Sequence, residues 1–451
     1  MFPVKTISEA LGVDLAVDAV MSGKINLWMR MFAGDEKEPS LGLPAAIAAE
    51  LARLTTIENE IQISGSARAD YLNSQFERVR DRLRSECEYG IAGGGLIFKP
   101  YICGEGIAVA YSHAGGFYPV SFDAAGRLTA VVFTERLQKG DKLFHRLEYH
   151  HMEDGGCIIE NRAYKTDAQS EGARLGEPVE LAQIPEWADL EPITQIANVD
   201  RLLMGYFRVP LANHISEDSP LGVSAYSRAV DLIKEADRQY GRILWEYEGS
   251  ELAVFADPTL LVQGVRKEFI LGEREKRLFR ALPGLDSDKK IDVFSPTIRD
   301  SALCNGLNNQ LKRIEYTCGL AYGTLSDPQN VDKTAEEIRA SKQRSYALVS
   351  DTQKALQAAL EDLAYAMDIW ATLGSLAPSG SYTVSCDWDD SIINDPEQRR
   401  QRAWQYVAAG KFPMWRYLVD YAGYAESEAR ELVGEAAGSL TNPFGFEGGG
   451  A

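Results

Sequence analysis

The stretch AYGTLSDPQNVDKTAEEIRASKQRSY, residues 321–346, opens loose and polar with Gly323, Ser326, Asp327, Pro328 and Asn330. These residue types favour turns. The chain then becomes a strong helix former. Thr334 and Glu337 have capping-box spacing, and Asp332 is an alternative cap. An apolar stripe follows through Ile338, Ser345, Leu348, Thr352, Leu356, Leu360, Leu363, Met367 and Trp370. It predicts about 40 residues of helix, near 60 Å if straight. Globular helices average about 11–12 residues, so a helix this long constrains the architecture.

Upstream, Leu303, Leu307, Leu311, Ile314 and Cys318 share one face of a helix over 300–318, with Gly319 as its stop. The polar stretch therefore joins two helices. Further upstream, SPLGVSAYSRAVDLIKEADRQYGRILWEYE begins at Ser219, a plausible cap followed by Pro220 in the first turn. Val223, Tyr226, Val230, Ile233, Tyr240, Leu244 and Tyr247 recur at helical spacing. Between these two helices, residues 251–298 hold short strand-like runs, LAVFA, KRLFRAL and KIDVF.

The N-terminal part predicts short helices at 43–55 and 70–89, the second with Phe76, Val79, Leu83 and Cys87 on one face. From 90 to 165, segments rich in Ile, Val, Phe and Tyr alternate with turn residues, the pattern of an antiparallel meander. DAAGR at 123–127 is a hairpin turn, and 166–218 reads as irregular. After the long helix come a short strand at 382–388 and a helical end from Asp395-Pro396 to about Ala437, broken at 410–413 and Gly423. The tail FGFEGGGA is expected to be disordered. The fold class is α+β.

Apolar residues make up 45% and charged residues 25% of the 451, the composition of a folded globular chain. Acids outnumber bases 66 to 47, a net charge of −19. That argues against a general nucleic-acid binder, which needs a positive surface. Glu9, Asp14 and Asp18 interrupt the N-terminal apolar residues, unlike a signal peptide. No apolar run approaches the roughly 20 residues of a membrane helix. The expectation is a soluble chain made in the cytoplasm, with its six scattered cysteines reduced and buried, Cys304 and Cys318 on the apolar side of their helix.

Catalytic signatures are missing. There is no phosphate-binding loop of the G-x-x-x-x-G-K-[ST] type, no G-x-S-x-G and no H-E-x-x-H. GGG at 93–95 precedes a strand-like run, so a tight turn or close packing explains it better than a phosphate cradle. His150 and His151 are neighbours on a strand and point to opposite faces, so they do not chelate together. The sequence is expected to carry no catalytic site, cofactor or metal.

In order and motif, the chain resembles the portal proteins of tailed bacteriophages, most closely the siphophage and prophage group of Gram-positive hosts. The resemblance covers nearly the whole length. It rests on GGGLIFKPYI (93–102), FYPVSFDAAGRLTAVVF (117–133), YFRVPLANHISEDSPLGVSAY (206–226), FSPTIRDSALCNGLNNQLKRIEYTCGLAYGTLS (294–326) and KTAEEI (333–338). It implies an elongated fold: a β-rich wing at 1–218, a first stem helix at 219–250, a clip at 251–299 and a second stem helix at 300–320. A tunnel loop would follow at 321–332, then the long helix of the wing at 333–373 and a crown with a flexible tail at 374–451. The C-terminal region is short for the family, which leaves the crown's extent open.

The resemblance further implies a ring, usually a dodecamer, at one capsid vertex of the virion, assembled in the bacterial cytoplasm. Double-stranded DNA would pass its channel without sequence readout, in packaging and in ejection. The partners implied are the terminase motor, the head-tail adaptor, and the major capsid and scaffolding proteins, with no membrane. Gly323, Leu325, Asp327, Gln329, Asn330, Asp332 and Lys333 would face the DNA channel. Tyr240, Leu244, Trp245, Leu307 and Leu311 would form the subunit interface, in keeping with the aromatic load of such surfaces. The competing readings are a capsid or injection-machine structural protein without a DNA channel, and an enzyme whose site uses scattered acids.

Overall fold

The computed structural model describes residues 2–34, 39–57, 59–153, 155–167, 174–217, 219–256, 262–263, 268–269, 279–281, 291–327, 335–388, 396–408 and 413–441. It is a mixed helix-and-sheet protein of the α+β class. The chain divides into two units, Met1–Asp387 and Trp388–Ala451.

Two helices that the sequence reading did not identify open the chain, α1 (Val4–Leu11) and α2 (Ala19–Ala33). Asp18 caps α2, its Oδ1 accepting from the Met21 N–H at 2.7 Å. Then come α3 (Leu43–Thr56), β1 (Asn59–Ser64) and α4 (Ala67–Gly93). The expected apolar face of α4, Phe76, Val79, Leu83 and Cys87, is buried.

The expected meander is β2 (Gly95–Cys103), β3 (Gly106–His113), β4 (Phe117–Phe122), β5 (Leu128–Lys139), β6 (Lys142–Glu153) and β7 (Gly156–Asp167). The DAAGR turn forms as expected. Asp123 Oδ1 accepts the N–H groups of Ala125 and Arg127, both at 2.8 Å, and Gly126 takes φ +78°. The stretch read as irregular adds β8 (Glu177–Val179), β9 (Ile193–Ala197) and β10 (Gly205–Arg208). Strands β4-β5-β6-β7-β8 form one sheet, with β9 also on β7, and β10-β2-β3 form another.

The segment beginning at Ser219 departs from expectation. It is not helical until a 3-10 turn at Ser227–Ala229, and α5 spans Val230–Gly249. Tertiary packing overrides the local cap signal. Gly222 passes so close to Gly94 that a Cβ on Gly222 would meet the Gly94 carbonyl oxygen at 2.0 Å. Gly94 itself sits at φ +97°, which explains GGG as a turn and a backbone crossing. Tyr226 is buried and donates its hydroxyl to the Trp28 carbonyl at 2.8 Å.

Beyond α5, the described strands are β11 (Ala253–Ala256), β12 (Val262–Gln263), β13 (Glu268–Phe269), β14 (Phe279–Ala281) and β15 (Ile291–Phe294). β11 pairs parallel with β14 and antiparallel with β15. α6 (Asp300–Cys318) has the bounds its sequence predicts and ends on Gly319 in the left-handed conformation, φ +73°. α7 (Ala335–Leu373) is the long helix, with Leu356, Leu360, Leu363 and Met367 fully buried. Its capping residues Asp332 and Thr334 lie outside the described residues.

β16 (Thr383–Trp388) pairs with β1, so residues 374–387, grouped with the crown in the sequence reading, belong to the first unit. One hydrophobic core lies where α7 and the segment 199–204 meet the meander: Phe117, Val131, Phe133, Cys157, Leu203, Met204 and Ala366 cluster there. The second unit holds α8 (Pro396–Ala408), α9 (Met414–Ala422) and α10 (Glu426–Thr441), with Gly423 ending α9. Asp395 and the terminal FGFEGGGA are outside the described residues.

Of the cysteines, Cys87, Cys157 and Cys318 are buried as expected, whereas Cys103 and Cys304 are exposed. Cys304 is a correction. It lies near the start of α6, where residues 300–305 are exposed except for half-buried Leu303, so apolar spacing does not translate into burial there.

Candidate functional site

Two features hold the residues singled out by sequence: the α5–α6 pair with its small sheet, and the polar loop after α6. α5 and α6 pack against each other, and a Cβ on Gly306 would reach Gln239 Nε2 at 3.9 Å. Where α5 has left for β11 and the chain returns to α6, Arg299 clamps Glu246. Its Nη2 donates to Oε2 at 2.7 Å and its Nε to Oε1 at 3.1 Å. Hydrogen bonding to Arg299 holds the Glu246 carboxyl below its ordinary range.

Of the five predicted interface residues, Tyr240, Leu244, Leu307 and Leu311 are half-buried within the single chain. Trp245 is 69% exposed. Also exposed on this helix pair and its sheet are Tyr247, Leu252, Ile291, Val293 and Phe294. Helical spacing includes Tyr247, and Trp245 is named for the interface; KIDVF reads as strand-like, without its exposure. Every residue of β15 is exposed, and alternation cannot reveal a strand that presents both faces.

In the loop, Gly323, Leu325 and Asp327 are described, while Gln329, Asn330, Asp332 and Lys333 lie outside the described residues. The first half is not loose, as the glycine and serine content had suggested. The carboxylate of Glu315, fully buried in the last turn of α6, gathers it. Oε1 accepts N–H groups from Gly323 at 3.1 Å, Leu325 at 2.6 Å and Ser326 at 2.8 Å. Oε2 accepts the Ser326 hydroxyl at 2.9 Å. Asn308 Oδ1 accepts the Asp327 N–H at 2.8 Å. Arg344 of α7 stacks its guanidinium over the Tyr316 ring at 4.2 Å, and Gly319 lies against Leu348. The end of α6 is therefore tied both to the loop and to α7.

Glu315 was missed by sequence reasoning. One signal was present: a glutamate in the final helical turn faces the negative end of the helix dipole, which calls for a compensating set of donors.

A third cluster lies within the meander. Glu148 on β6 receives Lys99 Nζ from β2 at 2.7 and 2.8 Å, Arg146 at 3.0 Å and His150 Nε2 at 2.7 Å. Burial raises the carboxyl's pKa, but Lys99, His150 and Arg146 together outweigh it and hold it well below its ordinary value. Burial lowers His150 against the pull of Glu148, and it lowers His145 too, helped by Arg136. His150 and Glu148 share one face of β6, while His151 stacks on Tyr149 on the other, 4.6 Å between centroids. The alternation expected for the histidine pair holds.

Among the described residues no group of three or more His, Cys, Asp or Glu is arranged to hold a metal ion, and no helix is long and apolar enough to cross a membrane. No family model matches the chain, and no curated protein matches it.

Proposed function

We propose that the chain is a subunit of a tailed-phage portal, a ring at one capsid vertex through which double-stranded DNA is packaged and ejected. The observation that carries this reading is the α5–α6 pair. A helix pair with a small sheet at its tip leaves Trp245, Tyr247, Leu252, Ile291, Val293 and Phe294 exposed on one chain. Large apolar side chains left exposed on one helix pair and its sheet suit a contact surface. The order of elements supports the same reading: meander, helix, small sheet, helix, polar loop, very long helix. In it, α5 and α6 are the stem, the β11–β15 region is the clip, residues 321–332 are the tunnel loop and α8–α10 contribute the crown.

Charge is consistent with a channel. Twelve chains at −19 each carry about −228 in total. An acidic wall repels phosphate, so DNA slides instead of sticking; such fields act over about a Debye length of 8–10 Å. DNA contacts through the loop would be polar, weak and to phosphate, with no base readout. Hydrolysis belongs to a separate terminase motor in this reading, so the ring itself turns over no nucleotide. The clip would meet the motor first and the head-tail adaptor later.

Light scattering on purified protein tests the reading. Twelve chains of 49.8 kDa make about 600 kDa. A mass in that range is the expected result, and a stable monomer to tetramer would favour a different structural protein or an enzyme.

A further inference from the structure

We infer that Glu315 is the positioning residue of the loop, a latch that fixes where residues 323–326 stand relative to the end of α6. This rests on the portal reading only for what the positioned loop does, not for the latch itself. A buried carboxylate is costly unless charge-assisted hydrogen bonds compensate it. Glu315 has four donors, three of them backbone N–H groups from one short segment. The helix dipole works against a negative charge at this position. A residue that served only to fill space would be apolar here, as its neighbours Ile314 and Cys318 are.

The geometry converts a flexible composition into a defined one. Gly323 takes φ +87°, which lets the chain turn its N–H back toward α6. Ser326, only 4% exposed, contributes both its N–H and its hydroxyl. Asn308, two turns before Glu315 on α6, takes the next N–H, from Asp327. Five hydrogen bonds donated to one helix thus hold residues 323–327. In a ring, one such latch per subunit would set all loops at a common height along the channel.

Amide hydrogen exchange on the assembled full-length protein tests the latch without DNA. The amides of Gly323, Leu325 and Ser326 should be slowed roughly 10- to 100-fold relative to open chain, the range that hydrogen bonds to a charged acceptor supply. Glu315→Ala should abolish that protection while the amides in the middle of α6 stay slow. Glu315→Gln keeps one acceptor oxygen and should recover part of it, which a loss of helix packing would not permit. Ser326→Ala, which removes only the hydroxyl donor, should leave the Gly323 and Leu325 amides protected and serves if Glu315→Ala does not fold. Fast exchange in the wild type, or protection indifferent to both Glu315 variants, would overturn the latch.

DNA per filled head reads the positioning role. Glu315→Ala rings of normal yield should package less, with Glu315→Gln in between. Wild-type packaging by Glu315→Ala rings whose loop amides have lost protection would overturn that role. Failure of the portal reading is separate: the wild type would then form no ring.

Discussion

The meander and the α5–α6 pair meet the same solvent with opposite resources. The meander has α7 and the segment 199–204 to pack on, and its inward residues Val131, Phe133 and Cys157 are buried. It also completes a charged cluster internally, with Lys99, Arg146 and His150 around Glu148. The α5–α6 pair buries little. On α5 only Ile233, Ala236, Ile243 and Glu246 are buried, and on α6 only Ile314, Glu315 and Cys318. Two helices with one mutual seam cannot cover the rest, so Trp245 and its neighbours remain outside. The first region is stabilised by the chain itself. The second, we propose, is completed by copies of itself.

The comparison can be broken at its strongest point first. Glu148→Gln leaves Lys99 and Arg146 half-enclosed without their shared carboxylate. The expected cost is about 3–5 kcal/mol in denaturant unfolding, typical of removing one partner from a buried ion cluster. A loss under about 1 kcal/mol would mean that the cluster is well solvated and the meander's internal completeness overstated.

Acid should act on the same cluster and on His145, on the other face of β6 against Phe2. His150 and His145 have folded-state pKa values below the ordinary 6.5, so the unfolded chain takes their protons first. Stability is then expected to fall as pH drops through about 6.5. A second loss follows at lower pH. Glu148 is held below its ordinary 4.5, and its contribution, full above 4.5, disappears as pH falls through its folded value. The urea midpoint compared at pH 7.5 and 5.5 reads the first window. His150→Gln should shrink the difference, and an unchanged difference would remove His150 from the account.

The smallest effect on folding is expected in the α5–α6 pair. Trp245→Ser changes an exposed side chain, so monomer stability should move by no more than about 0.5 kcal/mol. Assembly should nevertheless weaken, because exposed aromatic residues are the usual anchors of a protein interface. Normal assembly by this variant would show that Trp245 faces solvent in the oligomer as well. A large loss of monomer stability would instead mean that Trp245 is part of a single-chain core.

How much of this was legible in sequence depended on whether the deciding contact was local. α6 could be read to its bounds because its apolar spacing and Gly319 act within one helix. α5 could not. Ser219-Pro220 has the form of a helix start, but residues 219–226 are not helical, and Gly222 there crosses Gly94, well over a hundred residues away in sequence. The loop failed for a related reason. Gly323 and Ser326 suggest freedom, and only the fold shows that Glu315 collects their N–H groups. α1 and α2 lay in a stretch considered only for its resemblance to a signal peptide, although Asp18 was an available cap.

In the proposed ring, identical chains close around a channel with the α5–α6 pairs side by side. Electron-microscope images of the purified protein, viewed from the top, test it most directly. The account predicts closed rings with a central hole and a rotational symmetry near twelve-fold, with residues 321–327 lining the hole in a subsequent density map. Compact monomers to tetramers, open filaments, or a ring with residues 321–327 on its outer surface would contradict it.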